Sequence, residues 1–130
     1  MSKKNDKIIE NKVALSFREF KDKKVLFILF NNKRDKSKSF LIYEKAKFSN
    51  TIEKAFNNDY RKVDIEYDTT KNNRFKKVNL LIDLNSYLDK SKKDLYLDLI
   101  NSNKEFIKKN KVDNSIIENI TYFENKIKNL

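Results

Sequence analysis

The chain contains no glycine in its 130 residues, and this absence limits both the turns and the ligand loops that it can form. Tight two-residue hairpin turns prefer glycine because their backbone takes positive φ angles. Phosphate-binding P-loops, dinucleotide fingerprints and the glycine-based nucleophile elbow also require it. The sequence therefore excludes nucleotide hydrolysis by those routes, and any hairpin must turn without glycine.

Cysteine and histidine are also absent, which removes the common nucleophiles, general bases and transition-metal ligands. Carboxylates remain, and Asp64, Glu66 and Asp68 alternate along a predicted strand, so that they project from one face. Such a set could hold a magnesium ion in a nuclease. The solvated face of an edge strand has the same pattern, and this interpretation is favoured. We expect no enzyme activity, no metal and no cofactor.

Apolar residues in the first third follow the two-residue period of strands. Residues 13–20, VALSFREF, predict a half-buried strand, and KDKK predicts a hairpin turn. VLFILF, residues 25–30, is apolar on both faces and predicts a central second strand. A polar, basic loop at residues 31–38 leads to a third strand in SFLIY, residues 39–43.

The period then changes to that of a helix over Phe48–Tyr60, where Asn50 and Glu53 resemble a capping box. Val63, Ile65 and Tyr67 alternate with charged residues and predict a fourth strand. VNLLIDL, residues 78–84, fits either a fifth strand or the start of a helix.

Residues 91–130 predict a helical hairpin. Ser91 and Asp94 form a capping box before its first helix, and KKNK links the two helices. The second helix carries a continuous apolar stripe of Ile116, Ile117, Ile120, Phe123, Ile127 and Leu130. The whole chain predicts an α+β fold: an antiparallel sheet of four to five strands, one helix after the third strand, and a C-terminal helical hairpin. We expect residues 1–12 to be a mobile N-terminus and residues 13–130 to form a single domain, with the sheet and its one helix in 13–90 and the hairpin in 91–130.

The formal net charge of +11 is concentrated near the N-terminus. Residues 1–48 contain 14 Lys or Arg against 6 Asp or Glu, a balance of +8, whereas residues 49–90 carry +1 and residues 91–130 carry +2. The abundance of Lys, Asn, Ile and Phe is typical of an AT-rich genome, which alone would spread lysine evenly. The uneven distribution favours a localised basic surface.

Residues 14–43 combine the three requirements of a surface that binds single-stranded nucleic acid: cations, aromatic faces and a supporting sheet. A two-residue turn would place Arg18 between Phe20 and Phe27 on one face of the sheet. The cations at the strand ends would be Lys21, Lys23, Lys24, Lys33, Arg34, Lys36 and Lys38. The alternative, weighed equally, keeps Phe20 and Phe27 in a two-sided core and leaves the lysines as solubilising charges.

The order of three strands followed by FLIY and an amphipathic helix resembles the PUR-domain and Whirly-like binders of single-stranded nucleic acid. FREFKDKKVLFILF also resembles the opening hairpin of the related transcriptional positive-coactivator family. The resemblance covers residues 13–60 only. It implies a non-catalytic binder, with paired subunits forming a homodimer, in which Arg18, Phe20, Lys24 and Phe27 correspond to the sheet contacts.

We therefore expect a nucleic-acid-binding protein that prefers single-stranded DNA or RNA. The alternative is a small protein of the phage or plasmid type that inhibits or recruits a host protein by direct contact. The longest apolar run, Val25–Phe30, is far shorter than a membrane span. The expected location is cytoplasmic, with no membrane partner.

Overall fold

A computed structural model describes residues 21–69, 78–83 and 88–130, apart from the side chain of Glu66. Within these residues the elements are β1 (Val25–Phe27), α1 (Lys38–Ala46), α2 (Ile52–Asn57), α3 (Lys62–Thr69), β2 (Leu80–Ile82), α4 (Lys93–Lys109) and α5 (Asn114–Lys128). The predicted sheet of four to five strands is wrong, because the described chain is mostly helical and its one sheet has two strands. The predicted mobile N-terminus at 1–12 and first strand at 13–20 lie outside the described residues.

The two strands form a buried antiparallel pair in which Val25 lies opposite Ile82 and Phe27 opposite Leu80. β1 covers only the first half of the predicted strand at 25–30. Its other edge meets helix side chains, because Asn119 donates from Nδ2 to the carbonyl of Val25 at 3.0 Å and Asn103 does the same to Phe27 at 2.9 Å. Both edges of β1 therefore make hydrogen bonds to described residues.

Helix α1 replaces the predicted third strand. Ser37 begins it as the N-cap, and its Oγ accepts a hydrogen bond from the backbone N–H of Phe40 at 3.0 Å. Tyr43 and Ala46, three residues apart, are buried, while Leu41 is exposed. The apolar run was too short to distinguish a strand from a helix, and the serine cap with this three-residue spacing decides for the helix.

Helix α3 replaces the predicted fourth strand. Val63 and Tyr67, which alternation placed in the core with Ile65, are exposed. The buried residues are Ile65, Asp68 and Thr69, which follow the three- and four-residue spacing of a helix. The helix could not be recognised from its apolar residues, because one of its buried positions is an aspartate, Asp68, and two of its apolar residues, Val63 and Tyr67, are exposed.

Two other predictions are closer to the structure. The helix expected over Phe48–Tyr60 is confirmed as α2, although it is shorter and its N-cap is Thr51 rather than Asn50. Thr51 accepts through Oγ1 from the N–H of Lys54 at 3.2 Å. The open choice at residues 78–84 resolves as strand β2.

The C-terminal helical hairpin is confirmed. Four members of the predicted stripe of α5 are buried in the core, Ile116, Ile120, Phe123 and Ile127, whereas Ile117 is 39% exposed. The predicted Ser91 capping box is wrong, since Lys92 is the N-cap of α4 and makes no side-chain cap bond. A short 3-10 helix, Lys90–Lys92, precedes α4 and is capped by the side chain of Asp89. Buried residues of β1, β2, α1, α2, α3, α4 and α5 share one hydrophobic cluster.

Candidate nucleic-acid interface

Phe27 lies in the core and offers no face to a base. Its side chain is 1% exposed and packs edge-to-face against Tyr43 and Tyr60, with ring centroids 5.6 and 5.0 Å away. Its predicted neighbours on the sheet face, Arg18 and Phe20, lie outside the described residues. Phe27 is therefore not part of a stacking surface.

Among the cations predicted for the site, Lys33 is the one that forms an ion pair with a described residue. It forms an ion pair with Asp68, and the two side chains are 11% and 2% exposed. Its Nζ also lies 4.6 Å from the ring centroid of Tyr67. Burial raises the pKa of the Asp68 carboxyl, although the charge and hydrogen bond of Lys33 oppose that shift. Lys33 thus anchors its loop to α3 and has little surface left for a ligand.

The other six described cations of the predicted site make no ion pair with any described residue. They are Lys21, Lys23, Lys24, Arg34, Lys36 and Lys38. Lys21 is half-buried and the rest are exposed. Cations elsewhere are paired more often, including Lys45, Lys47, Arg61, Lys104, Lys108, Lys126 and Lys128. The six form two groups at opposite ends of β1.

The first group precedes β1 and meets the C-terminal helix. The Nζ of Lys24 lies 4.4 Å from the ring centroid of Tyr122, and the Nζ of Lys126 lies 5.5 Å from the same ring. Lys126 is ion-paired with Asp83. Partial burial raises the pKa of Asp83, but hydrogen bonds from Lys126 and Tyr122 outweigh it and leave the pKa lowered. The group therefore combines cations with one aromatic ring on rigid elements.

Tyr122 and Lys126 were missed by the sequence analysis. They lie one helical turn apart on α5, away from its apolar stripe, and about a hundred residues beyond Lys24 in the chain. Nothing in the local pattern connects the two segments. Their proximity follows from the packing of α5 against β1, where Asn119 bonds to Val25.

The second group lies in the loop between β1 and α1. Ser37 holds this loop, since its hydroxyl donates to the carbonyl of Arg34 at 2.6 Å and its N–H donates to the same oxygen at 3.1 Å. Lys36 has a φ of 62°, a left-handed conformation that is uncommon for lysine. At the start of the loop, Phe30 is 66% exposed. Arg34, Lys36 and Phe30 are thus presented to solvent by a defined turn.

Two asparagines fix the first part of this loop. Asn31 donates from Nδ2 to the carbonyl of Phe40 at 3.1 Å and to the carboxylate of Glu44 at 3.0 Å. Asn32 and Asn79 pair through their side-chain amides at 2.9 and 2.8 Å. The loop is thereby attached to α1 on one side and to the residue before β2 on the other.

The carboxylates considered for a metal site are arranged differently from the prediction. They belong to helix α3, where Asp64 bonds to Arg61 and Asp68 bonds to Lys33. No cluster of metal-ligating side chains is found among the described residues, a search that does not include the side chain of Glu66. In the same part of the chain, no helix is both long and apolar enough to cross a membrane.

Comparisons of the chain with protein-family models, curated protein sequences and solved structures give no match. The resemblance to PUR-domain and Whirly-like proteins therefore stays a prediction. The strand-rich architecture that it implies does not occur in the described residues.

Proposed function

We propose that the protein binds nucleic acid without catalysis, preferring single strands, through the cations that flank β1. The observation that carries this proposal is that six of the seven described cations predicted for the site lack a carboxylate partner in the described chain. Cations that form no ion pair attract a polyanion and release its counterions on binding.

The two groups of cations suit a ligand with repeated negative charges. Each end of β1 offers three cations, so a strand long enough to reach both ends meets positive charge at each. If each of the six contacts one phosphate, the slope of log affinity against log salt on a single strand is about −4, from roughly 0.7 per phosphate. A flat salt response contradicts the proposal.

The preference for single strands is supported by exposed aromatic rings next to the cations. Phe30 precedes the second group, and the partly exposed ring of Tyr122 lies beside Lys24 in the first. Bases stack on such rings only when they are not already stacked and paired in a duplex. The aromatic sheet surface inferred from the sequence is replaced by these two rings, because Phe27 is buried.

The test is fluorescence anisotropy of a labelled single-stranded 20-mer, and of the same sequence as a duplex, at two salt concentrations. Arg34→Glu with Lys38→Glu should weaken binding at least tenfold. Lys109→Glu with Lys111→Glu is the charge-matched control, since both residues are exposed, lie outside the two groups of cations and change the net charge equally. Equal loss in both double variants would show that only total charge matters, and would remove the assigned site.

A second candidate, contact with a protein partner, is favoured by one observation. Val63 and Tyr67 lie one turn apart on α3 and are 62% and 51% exposed. Adjacent exposed apolar side chains on one helix face are typical of protein contact sites. A partner that is retained after nuclease treatment and high salt, and lost in Val63→Ser, supports this function over the first.

A further inference from the structure

The outer side of α1 alternates cationic and apolar side chains. Lys38, Leu41 and Lys45 are spaced three and four residues apart and lie on one side of the helix, with Phe48 three residues further on. All four are exposed, with Leu41 at 62% and Phe48 at 47%. The opposite side of the same helix buries Tyr43 and Ala46 in the core. Leu41 is therefore not needed to pack α1, whereas Phe48 also contacts Phe106 of α4.

This outer side of α1, defined by Lys38, Leu41, Lys45 and Phe48, carries positive charge. The one acidic residue of the helix, Glu44, is bonded to the Nζ of Lys47 at 2.9 Å and to Asn31. Lys45 pairs with Asp59, but the two side chains are 55% and 72% exposed. Such an exposed pair contributes little to stability, so a phosphate can displace Asp59.

The outer side of α1 is also continuous with the second group of cations, because the helix begins at Lys38 directly after the loop that presents Arg34 and Lys36. At 1.5 Å per residue, Lys38 and Lys45 are about 10 Å apart along the helix axis, so both can contact phosphates of the same strand. Leu41 and Phe48 are separated by the same seven residues. Cations and apolar side chains thus repeat on the scale of a few nucleotides.

We propose that the outer side of α1 is the base-contacting surface of a bound single strand, with Lys38 and Lys45 on phosphates and Leu41 and Phe48 on bases. This inference rests on the proposed function and adds the residues that distinguish a single strand from a duplex. A single strand is the occupant that fits, because it is polyanionic and exposes the apolar faces of its bases at the same time. A duplex keeps the faces of its bases stacked on one another, so it offers this surface phosphates, sugars and base edges but no base face.

The experiment compares Leu41→Ser with Phe48→Ser against the matched control Val63→Ser with Ile117→Ser, which also removes two exposed apolar side chains. Affinity for single-stranded dT20 should fall by about 10-fold or more in the α1 variant and stay unchanged in the control. The salt slope and duplex affinity should stay unchanged in both, since no cation is removed.

Three results overturn the inference. If the wild-type protein does not bind dT20 at low salt, the proposed function fails with it. If dT20 binding is lost in Arg34→Glu with Lys38→Glu but intact in the α1 variant, the inference alone fails. If a protein partner depends on Leu41 and Phe48 while dT20 does not, the surface serves that partner instead.

Phe48 also lies 6.3 Å from Phe106 between ring centroids, so its loss can disturb α4 as well as the ligand. Two measurements keep the test independent of that effect. Leu41→Ser alone leaves the aromatic pair intact and should weaken dT20 binding without changing the thermal midpoint. Ultraviolet crosslinking of dT20 to the wild-type protein should modify the peptide containing Phe48, and crosslinks confined to other peptides contradict the inference.

Discussion

The side chain of Asn103 on α4 accepts a hydrogen bond through Oδ1 from the backbone N–H of Leu29 at 2.8 Å. Its Nδ2 donates to the carbonyl of Phe27 at 2.9 Å. The amide therefore bonds to the edge of β1 as the peptide group of a neighbouring strand would. Asn119 of α5 satisfies the carbonyl of Val25 on the same edge. Helix side chains thus occupy the place of a third strand.

Asn103→Ala should destabilise the fold. The change leaves the N–H of Leu29 and the carbonyl of Phe27 buried without a partner, at about 1–3 kcal/mol for each group. Urea unfolding followed by circular dichroism measures the loss. Asn101→Ala, at an exposed position of the same helix, should change the free energy of unfolding by less than about 0.5 kcal/mol. Equal effects of the two changes would show that the amide does not serve as the edge partner.

The same contacts explain how much of the fold the sequence could predict. The hairpin of α4 and α5 was predictable because its apolar spacing persists over long helices, as in the stripe from Ile116 to Ile127. The central segments were not, because runs such as SFLIY and VDIEY are too short for the period to decide. Asn103 takes the place of a neighbouring strand for residues that lie more than 70 positions earlier in the chain. No local sequence pattern indicates such a contact.

The candidate site was predictable in part, for a similar reason. Charge distribution placed the cations near β1, and six of them have no carboxylate partner among the described residues. Which cation would be matched was not predictable, because Lys33 meets Asp68 only through the packing of α3 against β2 and the nearby loop. The contact between Lys24 and Tyr122 likewise depends on the position of α5.

Removing one partner of the ion pair between Lys33 and Asp68 should lower the free energy of unfolding more than replacing both partners by apolar residues does. Asp68→Ala leaves Lys33 unpaired in a mostly buried position, and we expect a loss of about 3–5 kcal/mol. Lys33→Met with Asp68→Leu should lose less than Asp68→Ala, because no buried charge remains. The hydroxyl of Tyr60 keeps a partner in the carbonyl of Asp64. Thermal and urea unfolding of the wild type, Asp68→Ala and the double variant give the three stabilities to be compared.

A matched control is the exposed pair of Lys45 and Asp59. Asp59→Asn suits its φ of 69°, since asparagine tolerates the left-handed region, and should change stability by about 0–1 kcal/mol. If the double variant of the buried pair proves as unstable as Asp68→Ala, packing rather than charge governs this position, and the prediction is wrong.

Asp68 and Asp83 should give stability contributions with opposite pH dependence. Burial raises the pKa of Asp68, so its contribution is fully present below the ordinary aspartate pKa of about 4 and is lost as pH rises through the folded-state pKa. The net pKa of Asp83 is lowered by the hydrogen bonds that outweigh its burial, so its contribution is present above about pH 4 and is lost as pH falls.

Unfolding free energies measured between pH 3 and 8 for the wild type, Asp68→Asn and Asp83→Asn test these signs. The difference between wild type and Asp83→Asn should shrink as the solution is acidified. The difference for Asp68→Asn should instead shrink as pH rises. Two parallel curves would mean that the two carboxylates do not differ in environment as described.

Lys36 should separate the requirements of folding from those of binding. Its left-handed φ of 62° costs a lysine about 1–2 kcal/mol relative to glycine, and asparagine adopts this conformation more readily. Lys36→Asn should therefore keep or raise the thermal midpoint. If Lys36 contacts a phosphate, the same change should weaken dT20 binding and reduce the salt slope by about 0.7. Lys111→Asn removes the same charge between α4 and α5, outside the two groups of cations, and should leave dT20 binding unchanged. A stabilised Lys36→Asn protein that binds as the wild type does would show that this exposed lysine is not part of the interface.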